Sequence, residues 1–107
     1  MFSVVVEASL QGLPEEQVCI SKLREGIELH GFCTGSQASF VCNFDNVLVK
    51  TRPVETSRQF SQPPFVGRPT VFVIQISIEG EKAADVVKVV DLVYKILKSC
   101  NILLRIV

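Results

Sequence analysis

The C-terminal part of the chain constrains the fold more than any other stretch, because it carries the most apolar surface in the most regular pattern. β-Branched and aromatic side chains predict a strand over 70–78, and helical periodicity predicts one long helix over 81–101. Glu79 and Gly80 are expected to form the turn between them, and 102–107 predicts a closing strand. This strand–helix–strand unit says much about the fold and little about the chemistry.

The polar side chains of the long helix recur at spacings of three and four residues, so they form one narrow stripe. Its apolar side chains cover an arc wider than the ~100° that a single packed face requires. The part expected to face a sheet consists of Ala83, Val86, Val87, Val90, Val93, Tyr94 and Leu97. Val89, Leu92 and Ile96 are expected to flank that part, where either a second element of this chain or a partner would cover them.

The rest of the chain predicts one further helix and four further strands. Pro14 followed by two glutamates is typical of a helix start, although Val18 and Ile20 also fit an extended segment, which stays the alternative. The expected bounds are 2–10 for the first strand, 14–26 for the helix, 27–33 and 38–44 for a hairpin, and 47–52 for another strand that Pro53 ends.

The resulting order, β-α-β-β-β-loop-β-α-β, predicts an α+β fold. We expect a single-layer, mostly antiparallel sheet with two helices packed on one face, which resembles ferredoxin-like folds in general shape. A length of 107 residues predicts one domain, 1–107. Fold alone does not indicate function.

Composition narrows the class of partner. The chain is 48% hydrophobic and carries eleven basic and eleven acidic residues, for a net charge of zero. Proteins that bind nucleic acid through its phosphates usually have a basic excess, so a nucleic-acid partner is disfavoured. High apolar content without net charge favours a protein partner or self-association.

Location and cysteine chemistry follow from what the sequence lacks. It has no recognisable signal peptide and no apolar run long enough to cross a membrane, so we expect a cytoplasmic or nuclear protein without a membrane partner. Cys19, Cys33, Cys42 and Cys100 could form two disulfides in a secreted protein. Without a secretion signal, they are predicted to be reduced, buried thiols.

Residues 53–69 differ in composition from the rest of the chain, with four prolines among serine, glutamine and arginine. They predict a long loop, and loops of this length are often functional. Phe60 and Phe65 lie between Arg58 and Arg68 in the sequence. Exposed aromatic and arginine side chains are enriched in interface hot spots. The alternative is that both phenylalanines pack back onto the core and the loop is a passive connector.

Signals for catalysis or metal binding are weak. His30 and Cys33 have a spacing that zinc ligands use, but no second pair accompanies them. Cys42 could approach His30 across the hairpin as a nucleophile, yet no motif supplies an orienting group or an oxyanion hole. We therefore expect that the protein is not an enzyme and binds no metal or cofactor. A thiol enzyme or a zinc protein is a minor alternative.

These patterns together predict a non-enzymatic protein-interaction subunit. It would act as a scaffold, adaptor or assembly factor, either as an oligomer or within a larger complex. The alternative is a small-ligand or nucleic-acid binding domain that uses the locally basic segment 50–69. The residues expected to bind a partner are Arg58, Phe60, Phe65, Arg68, Val89, Leu92 and Ile96.

Overall fold

A computed structural model describes residues 1–11, 13–36, 38–44, 46–54 and 72–107. Within these ranges, six strands form one antiparallel sheet, and two helices pack on one of its faces. The predicted α+β class and element order are confirmed, and the likeness to ferredoxin-like folds holds in general shape only.

The helices and strands follow the order that the sequence predicts, although some of them begin or end at other residues than expected. Helix α1 is confirmed over the extended alternative. The bounds are β1 Phe2–Leu10, α1 Pro14–Glu28, β2 Phe32–Gly35, β3 Phe40–Phe44, β4 Val47–Val54, β5 Phe72–Gly80, α2 Ala83–Lys98 and β6 Leu103–Ile106.

The sheet has the strand order β2-β3-β4-β5-β1-β6. The first strand of the chain, β1, lies between β5 and β6 and pairs with both in antiparallel register. In the described part of the chain, β2 and β6 are therefore the two edges of the sheet.

The hydrophobic core lies between one face of the sheet and the two helices. Alternate residues of the strands point into it, as the period of two requires, and Val6, Val49 and Ile76 are among those fully buried. Helix α1 contributes Leu23 and Ile27, which are also fully buried. No helix of the described residues is long and apolar enough to cross a bilayer.

Helix α2 is rotated about its axis relative to the prediction. Val89 is only 1% exposed and belongs to the core, whereas Val87, expected to face the sheet, is 63% exposed. Leu92 and Ile96 are half-buried and pack against the core. Of the two alternatives for the flank that carries Val89, cover by a second element of this chain applies, because α1 packs against that side of α2. The prediction that Val89 binds a partner is not supported, because its side chain is buried.

The prediction of reduced thiols is also wrong, since all four cysteines form disulfides. Cys19 of α1 is bonded to Cys100, just beyond the end of α2, and Cys33 of β2 is bonded to Cys42 of β3. The register of the hairpin places Cys33 directly opposite Cys42, and both side chains point into the core. The Cys33–Cys42 pairing follows from the register of a local hairpin, whereas Cys19 meets Cys100 only in the tertiary fold.

Several predicted boundaries shift for reasons visible in the pairing. Ile27 and Glu28 belong to α1, so the hairpin begins later than expected. Gly80 does not form a turn, because it pairs with strands on both sides and ends β5. Strand β4 continues through Pro53, which pairs with Ile74 of β5. Pro53 lies beyond the first residue of β3, so it has no β3 neighbour to which its missing N–H would have to donate.

Candidate interaction surface

The residues predicted to bind a partner do not form one surface in the described structure. Val89 is buried in the core and does not reach solvent. Leu92 and Ile96 lie on the α1 side of α2, half-buried, and their contact with a partner stays a prediction. Four further residues fall outside the described ranges: Arg58, Phe60, Phe65 and Arg68.

The minor alternatives, a thiol enzyme or a zinc protein, would need free cysteines, and the disulfides leave none. Cys33 and Cys42 are bonded to each other, so neither is free to act as a nucleophile or to bind metal. His30 is exposed, and its ring contacts the edge of Phe44 with a centroid distance of 5.7 Å. Across the described ranges, no group of three or more potential ligands is placed to hold a metal ion.

Exposed apolar side chains line the β6 edge of the sheet, and others, including Phe32, lie at the β2 edge. Leu103 is 75% exposed and Ile106 is 57% exposed, and Val107 continues the same line. The exposed Val87 and the half-buried Val90 and Tyr94 lie on α2. We refer to this set as the β6 edge patch: Val87, Val90, Tyr94, Leu103, Ile106 and Val107.

The helix part of the β6 edge patch follows from the rotation of α2. One side of the helix packs on the core and a second lies against α1, where Ile96 is located. Val87, Val90 and Tyr94 recur at helical spacing on the remaining apolar side, away from Ile96. Because α1 contacts β2 and β3 while α2 contacts β6, this side faces the β6 edge.

A tight reversal places β6 antiparallel to α2. Asn101 adopts a left-handed conformation with φ of 61°, which asparagine tolerates better than most residues. The N–H of Ile102 then donates to the carbonyl of Leu97 at 3.4 Å, and the chain returns along the helix as β6. Consequently α2 and β6 present their exposed apolar side chains at one end of the sheet.

Strand β6 pairs with β1 on its inner side. The pairing runs from Ser9 with Leu103 to Val6 with Ile106, and the N–H of Val107 donates to the carbonyl of Val5 at 2.8 Å. On its outer side, β6 pairs with no strand among the described residues. Its outward backbone groups are therefore available to a further strand.

Paired charges surround the apolar side chains. Arg105 lies on the open face of the sheet, and its guanidinium contacts the carboxylate of Glu7 on β1 at 2.6 Å. On α2, Lys95 and Asp91 form an ion pair at 2.9 Å one turn apart. The Lys95–Asp91 pair is largely exposed and contributes little to stability, whereas the side chain of Glu7 is only 19% exposed beside Arg105. Both pairs leave the patch close to neutral.

The sequence contains a signal for this patch that the initial interpretation missed. A strand with one face in a core should alternate apolar and polar side chains. Segment 103–107 carries apolar residues on both faces, with Leu103 and Val107 on either side of Arg105 on the open face and Leu104 and Ile106 on the helix face. Apolar residues on both faces of a strand indicate contacts on both faces.

A second, weaker feature lies on the open face of the sheet. A shallow depression is lined by residues that include Val41, Lys50, Arg52 and Gln75. The Arg52 guanidinium donates from Nε and Nη2 to Oε1 of Gln75, at 3.2 and 3.1 Å. Lys50 and Arg52 are the described part of the basic segment 50–69, and ligand or nucleic-acid binding by that segment stays a prediction.

Comparison with protein families, with curated protein sequences and with solved structures finds no match to this chain. The fold alone does not indicate function, and the surface of the protein is the remaining indicator.

Proposed function

We propose that this chain is a non-enzymatic protein-interaction subunit, a scaffold, adaptor or assembly factor, that binds its partner through the β6 edge patch. The supporting observation is that exposed apolar side chains adjoin a strand edge that is unpaired among the described residues, and an exposed helix flank. Monomeric proteins commonly protect strand edges, and contiguous apolar patches typically mark interaction sites.

Physical chemistry favours a protein partner at such an edge. An added strand satisfies the outward N–H and C=O groups of β6, while side chains beside the strand provide apolar burial. Burial of apolar surface contributes about 25 cal/mol per Å², so side chains as exposed as Leu103 and Val87 can stabilise a complex substantially.

The disulfides are relevant to the cellular compartment in which this chain would bind its partner. A cytoplasmic or nuclear location, expected from the lack of a signal peptide, stays a prediction. Two disulfides support an oxidising compartment instead, because cytosolic reductants keep most thiols reduced. The fold is compatible with either location, since Cys19, Cys33 and Cys42 are buried and Cys100 is half-buried, and all four would pack as small apolar groups when reduced.

Charged substitutions test the proposed surface. We expect Val87→Asp and Ile106→Asp to retain the fold and to lose association, because both side chains are exposed in the chain itself. Val18→Asp is the matched control, since Val18 lies on α1 and is 57% exposed, the same fraction as Ile106. Association is measured by light scattering after size exclusion and by capture from the native source, and folding by circular dichroism.

If Val87→Asp and Ile106→Asp associate as the unmodified chain does, the β6 edge patch is not the interface. If Val18→Asp alone loses association, the interface lies on α1.

A further inference from the structure

We propose that the occupant of the β6 edge patch is a second copy of this chain, joined by antiparallel pairing of β6 with β6 of that copy. This inference rests on the proposed function and names its partner. It would extend the six-stranded sheet across a two-fold axis.

The geometry of the edge is self-complementary. A two-fold axis perpendicular to the sheet pairs the two β6 strands antiparallel and keeps both pairs of helices on the same side. Because α2 runs antiparallel to its own β6, the two α2 helices also approach each other antiparallel. One operation thus covers the strand edge and the flank that carries Val87, Val90 and Tyr94. An isolated extended peptide would cover only the strand edge.

The side-chain pattern of β6 selects a register. Directly opposed residues of an antiparallel pair point to the same face, so only every second register joins the two cores correctly. Pairing centred on Arg105 places Leu104 opposite Ile106 of the second copy and Leu103 opposite Val107. All four apolar side chains of the strand then meet an apolar side chain. Centring on Leu104 would instead place Leu103 opposite Arg105.

Charge is compatible with this register. Like charges directly opposed on a sheet are destabilising, but each Arg105 is held by Glu7 at 2.6 Å. The two copies therefore contribute two arginines and two carboxylates to a neutral group at the centre. The two antiparallel α2 helices have opposed dipoles, which is favourable. The chain has no net charge, so two copies do not repel at long range.

Sedimentation over a concentration series tests for the dimer. We expect the unmodified chain and Val18→Asp to form dimers, and Val87→Asp and Ile106→Asp to sediment as folded monomers. Monomers of the unmodified chain at all concentrations would overturn self-pairing. If such monomers nevertheless captured another protein in a manner sensitive to Val87→Asp, the proposed function would stand and only the second copy would be rejected. If the unmodified chain neither formed dimers nor captured another protein, both proposals would be overturned.

Cysteine cross-linking tests the register. In the pairing centred on Arg105, the two Arg105 Cα atoms lie about 4.5–5.5 Å apart, within reach of a disulfide. Arg105→Cys should therefore form a covalent dimer under mild oxidation. Leu103→Cys is the matched control, because Leu103 lies on the same face of β6 and is similarly exposed. The exposed fraction is 75% for the whole of Leu103 and 75% for the side chain of Arg105. The two Leu103 residues would be about 14 Å apart along the strands, too far to bond. Cross-linking through Leu103→Cys and not through Arg105→Cys would overturn this pairing.

Discussion

Gly26 of α1 lies so close to Ile96 of α2 that a Cβ atom added to the glycine would be 2.8 Å from Cδ1 of the isoleucine. The absence of a side chain at Gly26 allows the helices to approach, and α1 thereby shields the flank of α2 that the sequence assigned to a partner. The exposed Val87 lies on the opposite flank of α2, beside β6.

Two valines on α2 should respond differently to the same substitution. Val89→Asp places an unpaired charge in the core and should destabilise the fold by at least about 4 kcal/mol. Val87→Asp should change the free energy of unfolding by less than about 1 kcal/mol, because Val87 is exposed. Urea denaturation followed by circular dichroism measures both values. Equal losses would contradict the observed rotation of α2.

The two disulfides should differ in their contribution to stability. Cys19 and Cys100 are 81 residues apart, and Cys33 and Cys42 are nine apart. Because a longer loop loses more entropy in the unfolded state, removing Cys19–Cys100 should cost about 4.5 kcal/mol and removing Cys33–Cys42 about 2.7 kcal/mol. Denaturation of the two double-serine variants without reductant measures the difference. A larger loss for the hairpin pair would show that loop length does not determine the order.

Thiol alkylation tests the disulfides directly. Protein isolated from its native source in the presence of an alkylating reagent and then denatured should incorporate no label. After reduction it should incorporate four labels, one for each cysteine, as measured by mass spectrometry. Labelling without reduction would support the cytoplasmic or nuclear location expected from the sequence.

Thr51 has a specific structural role at the buried end of β3. Its hydroxyl accepts a hydrogen bond from the N–H of Phe40 and donates one to the carbonyl of Ala38, each at 3.1 Å. Thr51→Val keeps the shape but leaves a buried N–H without a partner, so it should destabilise the fold by about 2 kcal/mol. Thr34→Val on the exposed side of β2 is the control and should be close to neutral. Comparable losses in urea denaturation would argue against this role.

Glu16 organises the segment that leads into α1. Its carboxylate accepts hydrogen bonds from the N–H groups of Gln11 and Leu13, with shortest distances of 2.9 and 3.0 Å. Replacement by alanine should cost about 1 kcal/mol, as for other helix-start hydrogen bonds. Glu15→Ala, at the neighbouring exposed position, should cost less in the same thermal melts. The reverse order would indicate that helix propensity outweighs these bonds.

The order of helices and strands was predictable because it depends on local periodicity, which 2–10 and 81–101 display clearly. The rotation of α2 was not, because its apolar arc is broad enough to face the sheet with either Val87 or Val89. The Cys19–Cys100 disulfide was equally hidden, since the two residues meet only after α1 packs against α2, whereas Cys33 and Cys42 lie on the two strands of the predicted hairpin. The β6 edge patch was detectable in the apolar pattern of 103–107, but its unpaired position depends on the strand order.

The position of β1 between β5 and β6 has a consequence for synthesis on the ribosome. β1 is translated before every other described element, and the two strands that flank it, β5 and β6, are the last two strands. Its apolar residues therefore remain without these partners while the segment between β1 and β5 is synthesised, and the sheet can be completed only when β6 has emerged from the exit tunnel. Such long-range pairing slows folding, so chaperone protection of this segment would matter most during translation.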